Sequence, residues 1–592
     1  MSAASTSGRE PIVYVEIDQD FCGRTYGTAP CNAQVGVTGA RRCFNTLATC
    51  QWRSAWQRTV KTLRFTNVQP APDPLAIPSV VSVETAPTAI NPGGAGSRSG
   101  PLGQRASVTV TFQDHPDTDA QTDPYYAIYG PSQRSSWQDR GTFWSKWLAR
   151  NPYHVNRTIR ILTGYVGQDI GEFVSRTYLI DRIDGPDSSG RVTLRAKDIL
   201  RLADDDKAVA PRPSPGVLMQ DYDRDDTITH LRVTGADASE YSGGVIVRVG
   251  RELFRITFVT TISPTEIQLS VAPRAYLGTE AQSHKAGDRV QRCVYFPLGQ
   301  PVYWIVYHLL TEYASIPASY IPLDDWVSED ATWLSLFTLE ALVTEPTGVR
   351  QLLSELAEQC QFLLWWDERT QTIRFEALKP LDGQAVAYFN DDEHIVADSV
   401  RIRADPSARA SQVWVFYGVA DPTARLDDDT NYRHLLVRAD LDAESADQYG
   451  EPSIYKIHSR WLTTEGQALN AATRILNRRR DPTRTVTLEA DAKDADIWTG
   501  DIVDVTHRGI VDFNGLPVTT RFQIISAEDV EPGHRVRYEL QAYAFALGVR
   551  SAFWMADAAP DYSSASPTEK ERGAWWADED GTVGGDPGYN WV

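Results

Sequence analysis

Four of the six cysteines in this sequence crowd into its first fifty residues, spaced Cys22-x8-Cys31-x11-Cys43-x6-Cys50, while Cys293 and Cys360 stand alone. Four thiolates drawn to one point are the donor set of a zinc ion or an iron–sulfur cluster. Gly23, Gly27, Gly36 and Gly39 lie between them and permit the turns that such convergence needs. Arg24, Arg41 and Arg42 can offset the charge of the thiolates, and Tyr26, Phe44 and Trp52 can keep water away. The spacing has neither the close cysteine pairs of a zinc ribbon nor the ferredoxin run. It therefore leaves zinc, an iron–sulfur centre and two disulfides open. Synthesis in a reducing cytoplasm favours the metal.

Other chemistry-bearing residues read more blandly. Cys360 falls on the apolar face of a helical pattern and Cys293 in a strand, so both are expected in cores. The run Asp221-x-Asp223-x-Asp225 imitates a calcium loop but has Asp226 in place of the turn glycine and Arg232 in place of the closing glutamate. It reads as a solvated acidic turn. His308 and Glu312 share a helix face, yet no second histidine completes a zinc site. No nucleophile elbow, phosphate loop or dinucleotide fingerprint occurs, and no catalytic residue is singled out.

These residues sit in a chain of 592, with 58 basic against 78 acidic side chains and a formal charge of −20. That balance argues against sequence-specific nucleic-acid binding, which needs clustered Lys and Arg. No run of 18 apolar residues occurs, so no transmembrane segment is predicted, and the opening residues lack the apolar core of a signal peptide. Seventeen Trp, 25 Tyr and 18 Phe in a chain that is 42% hydrophobic can fill several cores. The 40 Gly and 34 Pro favour tight turns and β-rich modules over a helical solenoid.

Period-two alternation predicts strands at 12–17, 106–112, 158–166, 177–183 and 191–195, with a helical insert at 141–150. Helical spacing predicts elements at 302–313 and 349–363, followed by a hairpin at 362–377. The organisation expected is a four-cysteine segment with an adjoining strand (1–63), a first β-barrel domain (64–220), a small β-domain (221–299), an α+β domain (300–385), a second β-barrel domain with an embedded helix (386–550) and a Trp-rich arm (551–592). Trp575, Trp576 and Trp591 would anchor that arm on a neighbour. The fold class is β-rich, multidomain α+β, with two barrel-like domains and smaller α+β domains.

Four passages carry a family resemblance. They are Phe21-Cys-Gly-Arg-Thr-Tyr-Gly-Thr-Ala-Pro-Cys31 with Gly39-Ala-Arg-Arg-Cys-Phe-Asn-Thr-Leu-Ala-Thr-Cys50, then Gly141-Thr-Phe-Trp144 to Asn151-Pro-Tyr153 continued by Arg160-Ile-Leu-Thr-Gly-Tyr165. The third is Phe362-Leu-Leu-Trp-Trp-Asp367 leading into Ile373-Arg-Phe375, and the last is Leu476-Asn-Arg-Arg-Arg-Asp-Pro482 with Gly500-Asp501 and Arg521-Phe-Gln523. Over roughly 12–550 the chain resembles the distal tail-tip hub protein of long-tailed, siphovirus-like bacteriophages and gene transfer agents. The resemblance implies a structural protein without enzyme activity, located in the virion at the distal end of the tail. It implies a homotrimer whose paired barrels form a pseudo-sixfold ring, joining the sixfold tail tube to the threefold tip. Its partners would be the distal tail protein, the end of the tape-measure protein and the tip or receptor-binding proteins. By the same resemblance Cys22, Cys31, Cys43 and Cys50 would hold a structural [4Fe-4S] cluster, with zinc as the alternative. A tip-associated cell-wall hydrolase would instead show two facing carboxylates in a pocket, and a carbohydrate-binding tip module an exposed aromatic platform.

Overall fold

The computed structural model describes residues 10–592 apart from 35, 39–42, 70, 93–99, 118–140, 380–385, 406–408, 442–451, 481–482, 513, 532, 544–552, 555–559, 575–581, 584–585 and 588–592. Within that range the chain is strand-rich, with several separate sheets and fewer helices. Trp575, Trp576 and Trp591 of the expected arm lie outside the described residues, as do Gly39, Arg41 and Arg42.

The first sheet grows from the alternating segments. Strands β1 (Pro11–Cys22), β2 (Arg58–Thr66), β3 (Ile77–Pro78), β4 (Val80–Ala86), β5 (Ser107–Gln113), β6 (Thr158–Tyr165), β7 (Val174–Asp184) and β8 (Arg191–Lys197) pair in the order β3-β2-β1-β6-β7-β8-β5-β4. Its two edges, β3 and β4, are parted in the chain by Ser79 alone. The sheet therefore curls until one stretch of backbone touches both ends: Ile77 pairs with Phe65 of β2, and Val80 with Phe112 of β5. This disposes of exposed strand edges in the manner of a barrel.

Every second side chain points into that curl, with Val108, Val110 and Phe112 of β5 buried between half-exposed neighbours. Helix α1 (Phe143–Arg150) plugs it with Phe143, Trp144 and Trp147. Trp144 is fully buried, its ring 5.3 Å from Phe65 and 4.6 Å from Phe112. The Asp114 carboxylate accepts the Trp144 N–H at 2.9 Å, placing negative charge at the helix start.

A second sheet repeats this plan. Strands β9 (Ala387–Asn390), β10 (Arg401–Asp405), β11 (Thr483–Asp491), β12 (Ile502–Thr506), β13 (Thr520–Glu531) and β14 (Arg535–Ala542) pair in the order β9-β12-β13-β14-β11-β10. Again the edge strands β9 and β10 are chain neighbours, and Ile395 between them bridges Ala490 of β11. Phe389, Leu488, Val503 and Tyr538 fill its core.

Against the first sheet, through Leu179, packs an α+β core built on α2 (Val302–His308), α3 (Leu323–Trp333), α4 (Val349–Cys360), the hairpin Phe362–Asp367 with Thr372–Ala377, and α5 (Glu465–Arg479). Helix α5, expected inside the second barrel stretch, buries Ala468, Ala472 and Ile475 here, together with Val413 and Val415 of the strand Gln412–Val419. Its start is fixed by a capping box of Thr464 and Gln467. Cys360 is buried in this core and burial pushes its thiol pKa up, while Cys293 is buried beside Ile246 and Leu253, its thiol pushed up to about 12.

The small β-domain, six strands spanning 217–292, holds a buried carboxylate. Burial alone would raise the pKa of Glu252. Arg274 (2.8 and 2.9 Å), His284 (2.9 Å) and the N–H groups of Gln282 and Ala275 outweigh it and hold the pKa at about 2. The Arg274 guanidinium also donates to the carbonyls of Asp223 (2.6 Å) and Arg224 (2.9 Å), so a side-chain cation supports the loop whose sequence imitates a calcium site.

A folded pKa below the usual 4.5 adds stability that is complete above pH 4.5 and disappears as pH falls toward 2. The expected size is about 3 kcal/mol, from roughly 1.4 kcal/mol per pKa unit. Hydrogen exchange across 217–292 between pH 6 and pH 2.5 checks it. Glu252→Gln is expected to flatten that acid dependence, and an unchanged acid profile contradicts the assignment.

Candidate functional site

Cys22 is the last residue of β1 and faces Arg58, the first of β2. The four-cysteine segment is thus the long connection of one hairpin, carried at the rim of the first barrel. Two short 3₁₀ turns, Leu47–Thr49 and Arg53–Ala55, close the segment around Trp52 and Trp56.

Asn45 ties the segment together. It sits buried at φ 55°, a left-handed conformation that asparagine tolerates better than most side chains. Its carbonyl accepts the Cys22 N–H at 2.7 Å, and its own N–H lies 3.3 Å from the Cys43 sulfur. Burial raises the Cys50 thiol pKa, and the Trp52 amide lowers it against that rise. From the far side, Tyr26 donates to the Gln51 side-chain oxygen at 3.0 Å, joining the loop after Cys22 to the residue after Cys50. Gly23 is required for space, because a Cβ there would lie 2.8 Å from the Thr59 methyl.

None of the four sulfurs is joined to another in the structure, and Cys22, Cys31 and Cys50 are near enough to Cys43 to alter its ionisation. Burial pushes Cys43 up to about 11. The Asn45 N–H opposes that rise, and the charges of Cys50, Cys22 and Cys31 add to it. Cys50 is raised in the same way, with Cys22 and Cys31 again contributing. As bare thiols this pair stays protonated near neutrality. A bound metal ion would reverse that, since it takes thiolates and releases their protons. Amide N–H groups aimed at sulfur favour the thiolate, and such bonds tune iron–sulfur centres. Four thiols are the donor chemistry of a thiolate-bound metal, but no group of three or more His, Cys, Asp or Glu among the described residues is arranged to hold a metal ion.

Of the other residues expected at this site, Arg24 and Trp52 are exposed, and Tyr26 and Phe44 are half-buried. Trp52 therefore shields less than expected. Two features escaped the sequence: Asn45, and the α1 residue Arg150, whose guanidinium lies 3.7 Å over the Phe44 ring. Through that contact the segment leans on the helix that plugs the barrel. Arg150 is 100 residues beyond Cys50, and no local pattern links the two. His308 stacks on Trp304 at 5.1 Å, its pKa lowered by burial, and does not belong to the site.

A second concavity, of about 960 Å³, opens where the two barrels meet the central hairpin. Gly500, at φ 100°, lets the Trp365 ring lie against the backbone, where a Cβ would come within 2.8 Å of it. Two carboxylates of the cleft serve its turns. Asp367 accepts the Arg369 and Thr370 N–H groups at 3.0 and 3.3 Å, and Asp501 accepts that of Trp498 at 2.8 Å. Burial raises the Asp501 pKa. Trp365, Trp498, Phe173 and Tyr543 are each at most 9% exposed, so the aromatic platform expected of a carbohydrate module is not offered at this cleft.

No protein-family model matches the sequence, and no curated protein matches it. Among solved structures the chain is similar to the tail protein from Neisseria meningitidis MC58, at 11% identity over 78% of this chain and 98% of that one, with a TM-score of 0.37. It is also similar to the 43 kDa tail protein of prophage MuSo2 from Shewanella oneidensis, at 12% identity over 78% and 94% of the two chains, TM-score 0.35. A chain of the virion of a native gene transfer agent particle shares 14% identity over 56% of this chain and 84% of that one, TM-score 0.29. Superpositions this loose identify no activity. The architecture itself places the chain in the β-rich, multi-sheet α+β class.

Proposed function

We propose that the chain is the structural hub of a phage-type tail tip, a homotrimer that adapts a sixfold tail tube to a threefold tip. The observation that carries this reading is the presence in one chain of two sheets whose edge strands are chain neighbours, in direct contact with each other. Ile90, just beyond β4, donates to the Ile525 carbonyl of β13 at 2.9 Å, and the Tyr165 hydroxyl of β6 reaches the Gly533 carbonyl at 2.7 Å. The buried Arg176 of β7 pairs with Asp529 of β13. Two barrels held rigidly per subunit give six per trimer, so one ring can meet sixfold symmetry on one side and threefold on the other. The four passages of hub-like sequence support the same reading.

In this role the protein is a scaffold rather than an enzyme, located in the virion at the distal end of the tail. Its neighbours are the distal tail protein, the end of the tape-measure protein and the tip or receptor-binding proteins. Cys22, Cys31, Cys43 and Cys50 hold a [4Fe-4S] cluster that fastens the 23–57 connection to the barrel rim. Zinc is the second candidate for the same thiols. What supports the centre is the proximity of Cys22, Cys31 and Cys50 to Cys43 and the Asn45 N–H directed at the Cys43 sulfur.

Native mass measurement of the purified chain, with electron microscopy of tails carrying a labelled copy, tests the assignment. Three chains of 66.0 kDa per particle and label at the distal tip are expected. A stable monomer that is absent from tails contradicts it.

A further inference from the structure

Helix α5 carries Arg474 and Arg478 one turn apart, and neither forms an ion pair among the described residues. Arg474 donates to the Trp333 carbonyl at 3.1 Å and lies 5.6 Å over the Phe337 ring. Arg478 donates to the Gln361 side-chain oxygen at 2.5 Å. That acceptor is neutral and held in place, because the Gln361 amide nitrogen donates in turn to the Glu358 carbonyl. Burial lowers the pKa of both guanidinium groups, and the charges of Arg479 and Arg474 lower that of Arg478 further. Like charges at this spacing on a helix repel, and buried charges are ordinarily paired. The C-termini of α4 and α5 carry partial negative charge, which offsets only part of that cost.

Arg478 also lines the cleft of about 960 Å³ between the barrels and is half-buried. A guanidinium offers five N–H groups in a planar fork, of which Gln361 takes one. The nitrogens that Gln361 does not engage are open to solvent rather than enclosed. The hairpin register lays charge out along the cleft. Asp367 faces Thr372 at the hairpin tip, and Phe362 faces Ala377 at its base, five residues or roughly 17 Å away. At the tip, Arg369 donates to the carbonyls of Ala495 and Asp496, and Asp501 lies in the field of Arg369 and Asp367. Arg374 and Glu376 pair at 2.7 Å along the strand between. At the base, the Gln361 carbonyl accepts the Leu378 N–H at 2.9 Å, so Arg478 stands at the end that Lys379 occupies. Lys379 is matched by Glu329 at 2.6 Å. The base therefore keeps one cation, Arg478, with no carboxylate among the described residues, while Asp367, Asp496 and Asp501 gather at the far end.

We propose that the base of this cleft binds an oxyanion, a phosphate or carboxylate group held in the fork of Arg478. Two parallel N–H bonds from one guanidinium match the paired oxygens of either group. The remaining volume holds the body of a small molecule that bears it. This inference does not depend on the hub assignment.

Isothermal titration of the purified full chain with inorganic phosphate, and separately with succinate, tests it, and the tighter of the two names the group. Two charge-assisted bonds to one ion correspond to a dissociation constant of about 1 mM, expected for the better-matched anion. Arg478→Gln is expected to weaken that binding at least about tenfold, and Arg433→Gln, outside the cleft, to leave it unchanged. Arg478→Lys keeps the charge without the fork and is expected to recover only part of the affinity. In the unaltered chain, saturating anion is expected to slow phenylglyoxal modification of Arg478 at least about tenfold, read by peptide mass spectrometry. No binding of either anion, equal losses in Arg478→Gln and Arg433→Gln, or an Arg478 that the anion leaves unprotected in the unaltered chain overturns the proposal.

Discussion

Cys43→Ser is expected to release the metal and open the 23–57 connection while both barrels stay folded. Cys43 is the most buried of the four thiols, and its sulfur is the one held by Asn45, whose carbonyl in turn holds Cys22. The connection has little core of its own: Ala33, Cys43, Asn45 and Thr46 are its only buried residues among those described. On the proposed reading thiolate–metal bonds supply its order, and in small zinc-folded peptides such bonds contribute on the order of 10 kcal/mol. Loss of one of four ligands forfeits most of that. Hydrogen exchange is the measurement. Amides of 23–57 should lose their protection in Cys43→Ser, and those of β5 to β8 should keep theirs. Wild-type protection across 23–57 in the variant would show that the loop is ordered without the thiolate.

Arg176→Ala is expected to loosen one barrel from the other. Arg176 and Asp529 are an ion pair between the two sheets, with side chains 8% and 11% exposed, and the guanidinium lies 4.7 Å over the Trp498 ring. Burial works against the charge on Arg176. The Asp529 carboxylate, with a smaller contribution from Glu368, more than compensates, so its pKa stands above the ordinary value. Removing the cation leaves the buried Asp529 carboxylate without its partner. Breaking such a pair from one side costs about 3–5 kcal/mol. Scanning calorimetry should show the barrels separating into distinct transitions. Replacing both partners by apolar residues, Arg176→Met with Asp529→Leu, should recover most of the loss. A double variant as destabilised as the single one would mean that the charge itself holds the junction.

Much of the strand content is legible because half-buried strands alternate. Ala106 to Phe112 announces β5, and Leu179 to Ile183 announces the end of β7. Barrel closure is not legible, because it depends on β3 and β4 being parted by Ser79 alone, a fact of pairing rather than pattern. Helix α3 (Leu323–Trp333) gives no apolar stripe: only Trp326 and Asp330 are buried, and Asp330 is there to accept the Tyr303 N–H at 3.0 Å. Helix α5 is visible in sequence, but its destination is not, since its small apolar face of alanines fits any core. At the thiol site the ligands are readable from residue type and the glycines between them, whereas Asn45 and Arg150 act through a turn and a distant helix. The inter-barrel cleft is assembled from the hairpin, from both barrels and from the turn before β12, and no single stretch of sequence betrays it.

Iron, acid-labile sulfide and zinc analysis of the anaerobically purified chain decides whether the four thiols hold a cluster. About four irons and four sulfides per chain are expected, lost together in Cys43→Ser. A single zinc would keep the thiolate site and replace the cluster. A chain free of metal, with Cys22, Cys31, Cys43 and Cys50 joined in two S–S bonds, would contradict the account.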